Sequence, residues 1–318
     1  MSIIAGILVL LVQGMLSRVA MVAARENLTA ITWAHAVNSQ DLLDQTLASD
    51  IDMIEADIVL GHLVDDPSGP EIPVMGHPPV NISDVSLKSF LTQILEYNRK
   101  NSEKTKGVKL DFKSTEVFDG SLAMLSDIWA SMDYPVWLNA DIIRGPVNNT
   151  GTTPVDSNSF LRGCKRFPQA VLSIGWTTRW GNDFTEGIYT DDQIALMSDS
   201  IRNNGIPSSS HPITFPVRAG IAAHSLPQLT TLMKAFNQTN TVSLTIWSSE
   251  NDRVDVEKLR TLIFAVGIDK VYIDVPKDLL DQLDLGNPTS SAKHLSSFTL
   301  GCFILFFVCL YLGQSRSI

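Results

Sequence analysis

Residues 136–143 read Val-Trp-Leu-Asn-Ala-Asp-Ile-Ile, and residues 271–275 read Val-Tyr-Ile-Asp-Val. Both runs are short, rich in β-branched and aromatic residues, and apolar on both faces of an extended chain. A strand of that kind needs helices on both sides of its sheet, which is the condition of a parallel sheet. Similar runs recur at Ala30–Val37, Met53–Leu60, Gly107–Lys113, Ala170–Trp176, Ile213–Ala219 and Val242–Trp247. Amphipathic segments of helical period lie between them: Asp41–Ala48, Ser86–Lys100, Glu116–Met132, Ser159–Arg166, Asp191–Asn203, Leu226–Phe236 and Val254–Ala265, with Lys277–Leu283 closing the series. Ser86 and Ser225 are expected N-caps, Pro227 follows the second in its first turn, and Asp255 begins a charged first turn. Gly107, Gly205 and Gly267 fall where helices should stop. Eight strand–helix units imply right-handed parallel crossovers and predict an α/β fold, a closed (β/α)₈ TIM barrel over residues 27–284. An open doubly wound sheet usually has fewer strands and often a G-x-G-x-x-G loop, and that motif is absent.

The ends differ from the middle. Residues 1–24 pair an apolar run, Ile3 to Val12, with small residues near Ala20, and read as a secretory signal peptide. Residues 285–297 form a polar spacer before a hydrophobic tail at 298–312, which suits a GPI-attachment signal or a short membrane anchor. Sequons at Asn27, Asn81, Asn148 and Asn237 are candidate glycosylation sites and agree with an extracellular or cell-surface location, tethered to the membrane by the tail. The net charge of −10, with no basic run, argues against nucleic acid as a partner. Cys164 is the single cysteine of the body, so no internal disulfide is expected there, and the residue reads as a small buried apolar group.

Charge interrupts the strands late and in one pattern. His35 ends the first strand; Glu55 and Asp57 share a face of the second; Lys109, Asp111 and Lys113 share a face of the third; Asn139 and Asp141 share one of the fourth. His77 follows in Pro-Val-Met-Gly-His-Pro-Pro, residues 73–79. Late positions in barrel strands form the face where barrel enzymes keep their active sites. Three converging carboxylates suit a hard cation, Mg²⁺ or Ca²⁺, and two histidines suit proton transfer. An ion-pair network joining Lys109 and Lys113 to the acids accounts for the same residues without a ligand. Trp176, Arg179, Trp180 and Trp247 fall near strand ends, where aromatics could wall a pocket and Arg179 or Arg218 could meet an anion; packing at the rim explains the aromatics equally.

The segments WAHAVNS, IEADIVL, PVMGHPP, VKLDFK, VWLNADII, LSIGWTTRW and VYIDV together resemble the menorin family and, more distantly, the phospholipase-C-like phosphodiesterases, from about Thr32 to Pro276. The distant resemblance implies Glu55, Asp57 and Asp111 as metal ligands, His35 and His77 as an acid–base pair, and Lys113 as the group that neutralises phosphate. It implies a phosphodiester small molecule or lipid headgroup as substrate. Glycerophosphodiester phosphodiesterases carry His-Arg-Gly at the first site, whereas this chain reads His35-Ala36-Val37-Asn38, so the phosphate-clamping Arg is missing and Lys113 and Arg218 are left to compensate. Their strand-three acid is typically Glu rather than Asp111. The menorin resemblance also leaves open a recognition module with a cell-surface protein as partner. A glycoside hydrolase, ranked last, would need two carboxylates roughly 5–10 Å apart and no metal.

Overall fold

The computed structural model describes residues 27–147, 151–181, 184–209 and 211–287. Its strands are β1 (Trp33–Ala34), β2 (Met53–Leu63), β3 (Ile72–Met75), β4 (Ile82–Ser83), β5 (Gly107–Phe112), β6 (Val136–Arg144), β7 (Val171–Thr177), β8 (Ile213–Arg218), β9 (Val242–Trp247) and β10 (Val271–Asp274). The helices are α1 (Gln40–Leu47), α2 (Leu87–Lys100), α3 (Thr115–Ile128), α4 (Ser157–Cys164), α5 (Asp191–Asn203), α6 (Ala219–Ala222), α7 (Leu226–Phe236), α8 (Val256–Val266) and α9 (Lys277–Leu283). Neighbouring strands run β1-β2-β5-β6-β7-β8-β9-β10, every pair parallel. That is the TIM-barrel order. All eight expected strand–helix units form.

Two features were not expected. Before α2 the chain makes an excursion in which β3 runs antiparallel to the upper end of β2 and β4 pairs with its tip. The excursion packs closely: a Cβ on Gly61 would lie 2.0 Å from the carbonyl oxygen of Asn81. The barrel is also nearly closed rather than closed, since no ladder joins β10 to β1 among the described residues. β1 stops after two residues because Ala36 turns the chain with φ of 54° and Asn38 N–H bonds back to the Ala36 carbonyl. The seam is bridged instead by Leu28 N–H to Ile268 O at 2.8 Å, by a Trp33–Tyr272 edge contact, and by His35 to Asp274. Ser225 stands at the N-cap of α7 as expected, but its hydroxyl makes no capping bond; it donates to Ile221 O and accepts from Tyr189 N–H, tying α6 to the preceding loop.

Strand parity sorts the core into two. Side chains such as Ile54, Leu110, Leu138, Leu172, Phe215 and Leu244 face outward and are buried beneath the helices, where Cys164 also lies. Inward side chains at the N-terminal end form a separate apolar floor of Leu28, Met53, Trp137, Val171 and Tyr272, with Trp33 packed on it. The Trp33 and Trp137 rings meet edge-on at 5.2 Å. Above the floor the lumen turns polar, with Ser173 Oγ to Asn139 Oδ1 at 2.5 Å and Thr214 to Thr245 at 2.7 Å. Among the described residues no helix is long and apolar enough to cross a membrane. The expected leader at 1–24 and tail at 298–312 lie outside the described residues.

Two predictions concern stability. Trp137 is buried and its indole N–H has no protein partner. Trp137→Ala should cost about 3–5 kcal/mol in denaturant unfolding, while Trp137→Phe, which keeps a ring and removes the unpaired donor, should stay within about 1.5 kcal/mol of the parent. Burial lowers the pKa of His211 from its ordinary 6.5, although its hydrogen bonds to backbone carbonyls oppose this. The fold therefore favours neutral His211. Its contribution is complete above pH 6.5 and is lost as pH falls below that value. The fall in Tm on acidification from pH 6.5 should be shallower in His211→Gln than in the parent.

Candidate functional site

The C-terminal mouth is built by consecutive strands in register. Glu55 pairs with Lys109 and Asp57 with Asp111 across β2 and β5; Asp111 pairs with Asn139 across β5 and β6. Equal register and equal parity bring the acids together: oxygens of Glu55, Asp57 and Asp111 all lie within 4.8 Å of one another. Lys113 Nζ sits 2.6 Å from both Asp57 Oδ1 and Asp111 Oδ2. The three carboxylates could hold a metal ion, while Lys113 already supplies a positive charge between two of them. Glu55 Oε2 accepts the Ala36 N–H at 2.8 Å, and Asp57 is clamped by Asn38, whose amide donates to Oδ2 and whose Oδ1 accepts the Asp57 N–H, each at 2.8 Å.

Charge decides the protonation pattern. Burial pushes the Glu55 carboxyl up, which its charged neighbour His35 partly offsets. Burial would do the same to Asp111, but Lys113 overrides it and holds Asp111 below the usual carboxylate range. Burial works against charge on Lys113 as well, and the Asp111 and Asp57 charges outweigh it, raising its pKa well above the usual value. At Asp141 burial, reinforced by Asp111, outweighs the pull of Lys113 and Lys109 and pushes it up to about 7. His35 is half exposed, yet Glu55 and Asp274 outweigh its desolvation and push it up to about 9. At neutral pH His35 is an imidazolium whose Nδ1–H donates to Asp274 Oδ2 at 2.9 Å, leaving Nε2 for another partner.

The other expected site residues fall into different places. His77 is exposed and its Nδ1 lies 2.8 Å from the Pro78 carbonyl oxygen, with no bond to the carboxylates among the described contacts. It nevertheless stands at the mouth, because the adjacent Gly76 N–H donates to Asp57 O at 2.9 Å on the β1 side of β2. Asn139 is buried and engaged by Asp111 and Ser173, so it positions Asp111. Arg218 forms a fork to Asp252 at 2.8 and 2.9 Å, donates to Ser249, and stacks on Trp247 with 5.0 Å to the ring centroid. Trp176 is a correction. It alternates with Gly175, points away from the lumen and is buried against Tyr189 and Phe215, so it lines no pocket at the mouth. Trp180 likewise packs against Gly220 and donates to Arg253 O at 3.0 Å. Asn81 and Asn237 are exposed, Asn27 is partly buried and caps a short turn, and Asn148 lies outside the described residues.

Two contributors escaped the sequence reading. Asp274, 3% exposed, ends β10 two residues after the inward Tyr272, the same late position and parity as Asp57 on β2. Asn38 lies beyond β1, and its reach back to Asp57 had no local signal. Beside Lys113 an open groove of about 240 Å³ runs between Val59, Leu60, Pro78, Pro79, Val80, Asn81 and Ser114. Val80 and the nearby Ile82 are exposed.

Comparison with known proteins places this site in context. A solved psychrophilic glycoside hydrolase family 10 endo-β-1,4-xylanase covers 77% of this chain and 85% of its own, at 10% identity and a TM-score of 0.40. A D-psicose 3-epimerase from Clostridium cellulolyticum H10, solved with D-tagatose, covers 77% and 84% at 8% identity and 0.34. Likenesses that loose do not bear on the chemistry. The human protein FAM151B is 38% identical over 230 residues, 72% of this chain and 76% of that protein. The model of the menorin N-terminal domain matches residues 27–280, the whole barrel with its mouth, and the chain belongs to the menorin family.

Proposed function

We propose that the mouth is a divalent-metal centre for phosphodiester chemistry, acting on a soluble phosphodiester or a phospholipid headgroup. The observation that carries this is the convergence of Glu55, Asp57 and Asp111 within 4.8 Å at the catalytic end of a barrel. Glu55, Asp57 and Asp111 would hold Mg²⁺ or Ca²⁺, which when bound supplies a Lewis acid for a phosphoryl oxygen. His35, charged and oriented by Asp274, is suited to give a proton to a leaving oxygen through Nε2. His77 is the candidate for the opposite transfer, activating the attacking hydroxyl, and its exposed position leaves it free to turn. The open groove beside Lys113, rimmed by Val80, suits a substrate with an apolar arm. The same proposal routes the chain through the secretory pathway to the cell surface, on the strength of its apolar ends and sequons.

A second reading is a surface-tethered recognition module for a protein partner. It is favoured by one observation: Arg218, expected to compensate for the missing arginine, is committed to Asp252.

Titration calorimetry with Mg²⁺ or Ca²⁺ should show one site on the full chain, weakened tenfold or more in Glu55→Gln and in Asp57→Asn; a parent protein that binds neither ion ends the metal reading. Hydrolysis across a panel of phosphodiesters and phospholipids should fall about 10²–10⁴-fold in His35→Ala, with the fold intact by circular dichroism. A cell-surface partner whose affinity is unchanged by Glu55→Gln with His77→Ala, in a protein inactive on the whole panel, selects the recognition module.

A further inference from the structure

The cations at the mouth differ in how they are held. Lys113 is bound by Asp57 and Asp111, Arg218 by both oxygens of Asp252, and His35 by Asp274. Lys109 is different. Its side chain is 3% exposed, yet among the described residues no hydrogen-bond acceptor or carboxylate lies within bonding distance of its ammonium. The sealed, unpartnered side-chain atoms among the described residues are those of Trp33, Tyr134 and Trp137, so the Lys109 ammonium keeps contact with the solvent of the open lumen.

Lys109 nevertheless acts electrostatically on His35 of β1, Glu55 of β2, Asp111 of its own strand and Asp141 of β6. Lys109 shares the lumen face of β5 with Asp111 and pairs in register with Glu55 of β2, yet among the described residues its ammonium bonds to neither acid. Among the described residues the strands β7, β8 and β9 carry no acid. They contribute Ser173, Thr214 and Thr245, whose hydroxyls are already engaged with Asn139 and with each other. The ammonium thus has acids on one side of the lumen and neutral groups on the other.

We infer that Lys109 is the anion seat of this barrel, where its ammonium receives a non-bridging oxygen of the phosphoryl group. It takes the place in which Lys113 and Arg218 were expected. Lys113 instead serves as the counter-ion of the carboxylate set, and Arg218 braces the loop after β9. The inference rests on the phosphodiester reading for the identity of the anion, and on geometry alone for the residue.

The test uses the full chain and inorganic phosphate, titrated by calorimetry with and without saturating Mg²⁺, after Mg²⁺ has been titrated alone. Phosphate affinity should fall about tenfold or more in Lys109→Met and recover to within about threefold of the parent in Lys109→Arg. A purely structural lysine would lower Tm and leave phosphate affinity within twofold, and that result overturns the inference. A parent that binds no phosphate overturns it too. Should Lys109→Met not fold, the parent crystal soaked in tungstate decides: density against Lys109 Nζ supports the seat, and density against Lys113 or Arg218 refutes it. Lys109-dependent phosphate binding without Mg²⁺ binding sinks the metal reading and keeps this one; Mg²⁺ binding with Lys109-independent phosphate binding does the reverse.

Discussion

Lys113 between Asp57 and Asp111 is the contact on which the rest of the mouth depends. Alternation along β2 and β5 sends every second side chain into a narrow lumen, and these strands carry Glu55, Asp57, Lys109, Asp111 and Lys113 in that lumen. Five ionisable groups in so small a space are tolerable only if each negative charge has a donor close by. The ammonium answers two acids at once, the Ala36 N–H and His35 answer Glu55, and Asn38 answers the remaining oxygen of Asp57. Removing one partner of such a set strands its neighbours, which is why buried pairs of this kind are hard to take apart singly.

That neutralisation has a layered setting. Helices seal the outside of the strands with aliphatic contacts, and an aromatic floor seals the lumen from below with Trp33, Trp137 and Tyr272. Hydroxyl and amide pairs occupy the middle. Water is thereby kept to the open end, where half-exposed His35 and exposed His77 stand. Electrostatic interactions among the acids are correspondingly stronger than they would be on a surface. Asp141 is pushed up to about 7, chiefly by burial and then by the neighbouring Asp111.

The strands and helices were legible because each strand is covered on both faces and so reads as an apolar run, and because the helices between them keep their period. The convergence of Glu55, Asp57 and Asp111 follows from parity alone, once adjacent strands are taken to be in step. What escaped depends on contacts between distant residues. The β3–β4 excursion is antiparallel and short, and its residues carry no repeat. Trp176 looked like a rim aromatic by position, although the parity that serves the acids places it outside. Ser225 has the composition of a cap, but the Tyr189 and Ile221 backbones claim its hydroxyl first. Arg218 is read as free until the Asp252 loop is seen folded over it. Asp274 had the right strand position all along, and its importance appears only where β10 meets β1.

That meeting has a consequence for the order of events in the life of the chain. His35 and Asp274 are 239 residues apart, and no backbone ladder holds their strands together. A ribosome releasing the chain from its N-terminus completes β2 through β9 while His35 still has no fixed orientation. The last strand is therefore both the closing stave and the part that aims the imidazole. A truncated or stalled product keeps its carboxylates and lacks the Asp274 contact that fixes the imidazole of His35.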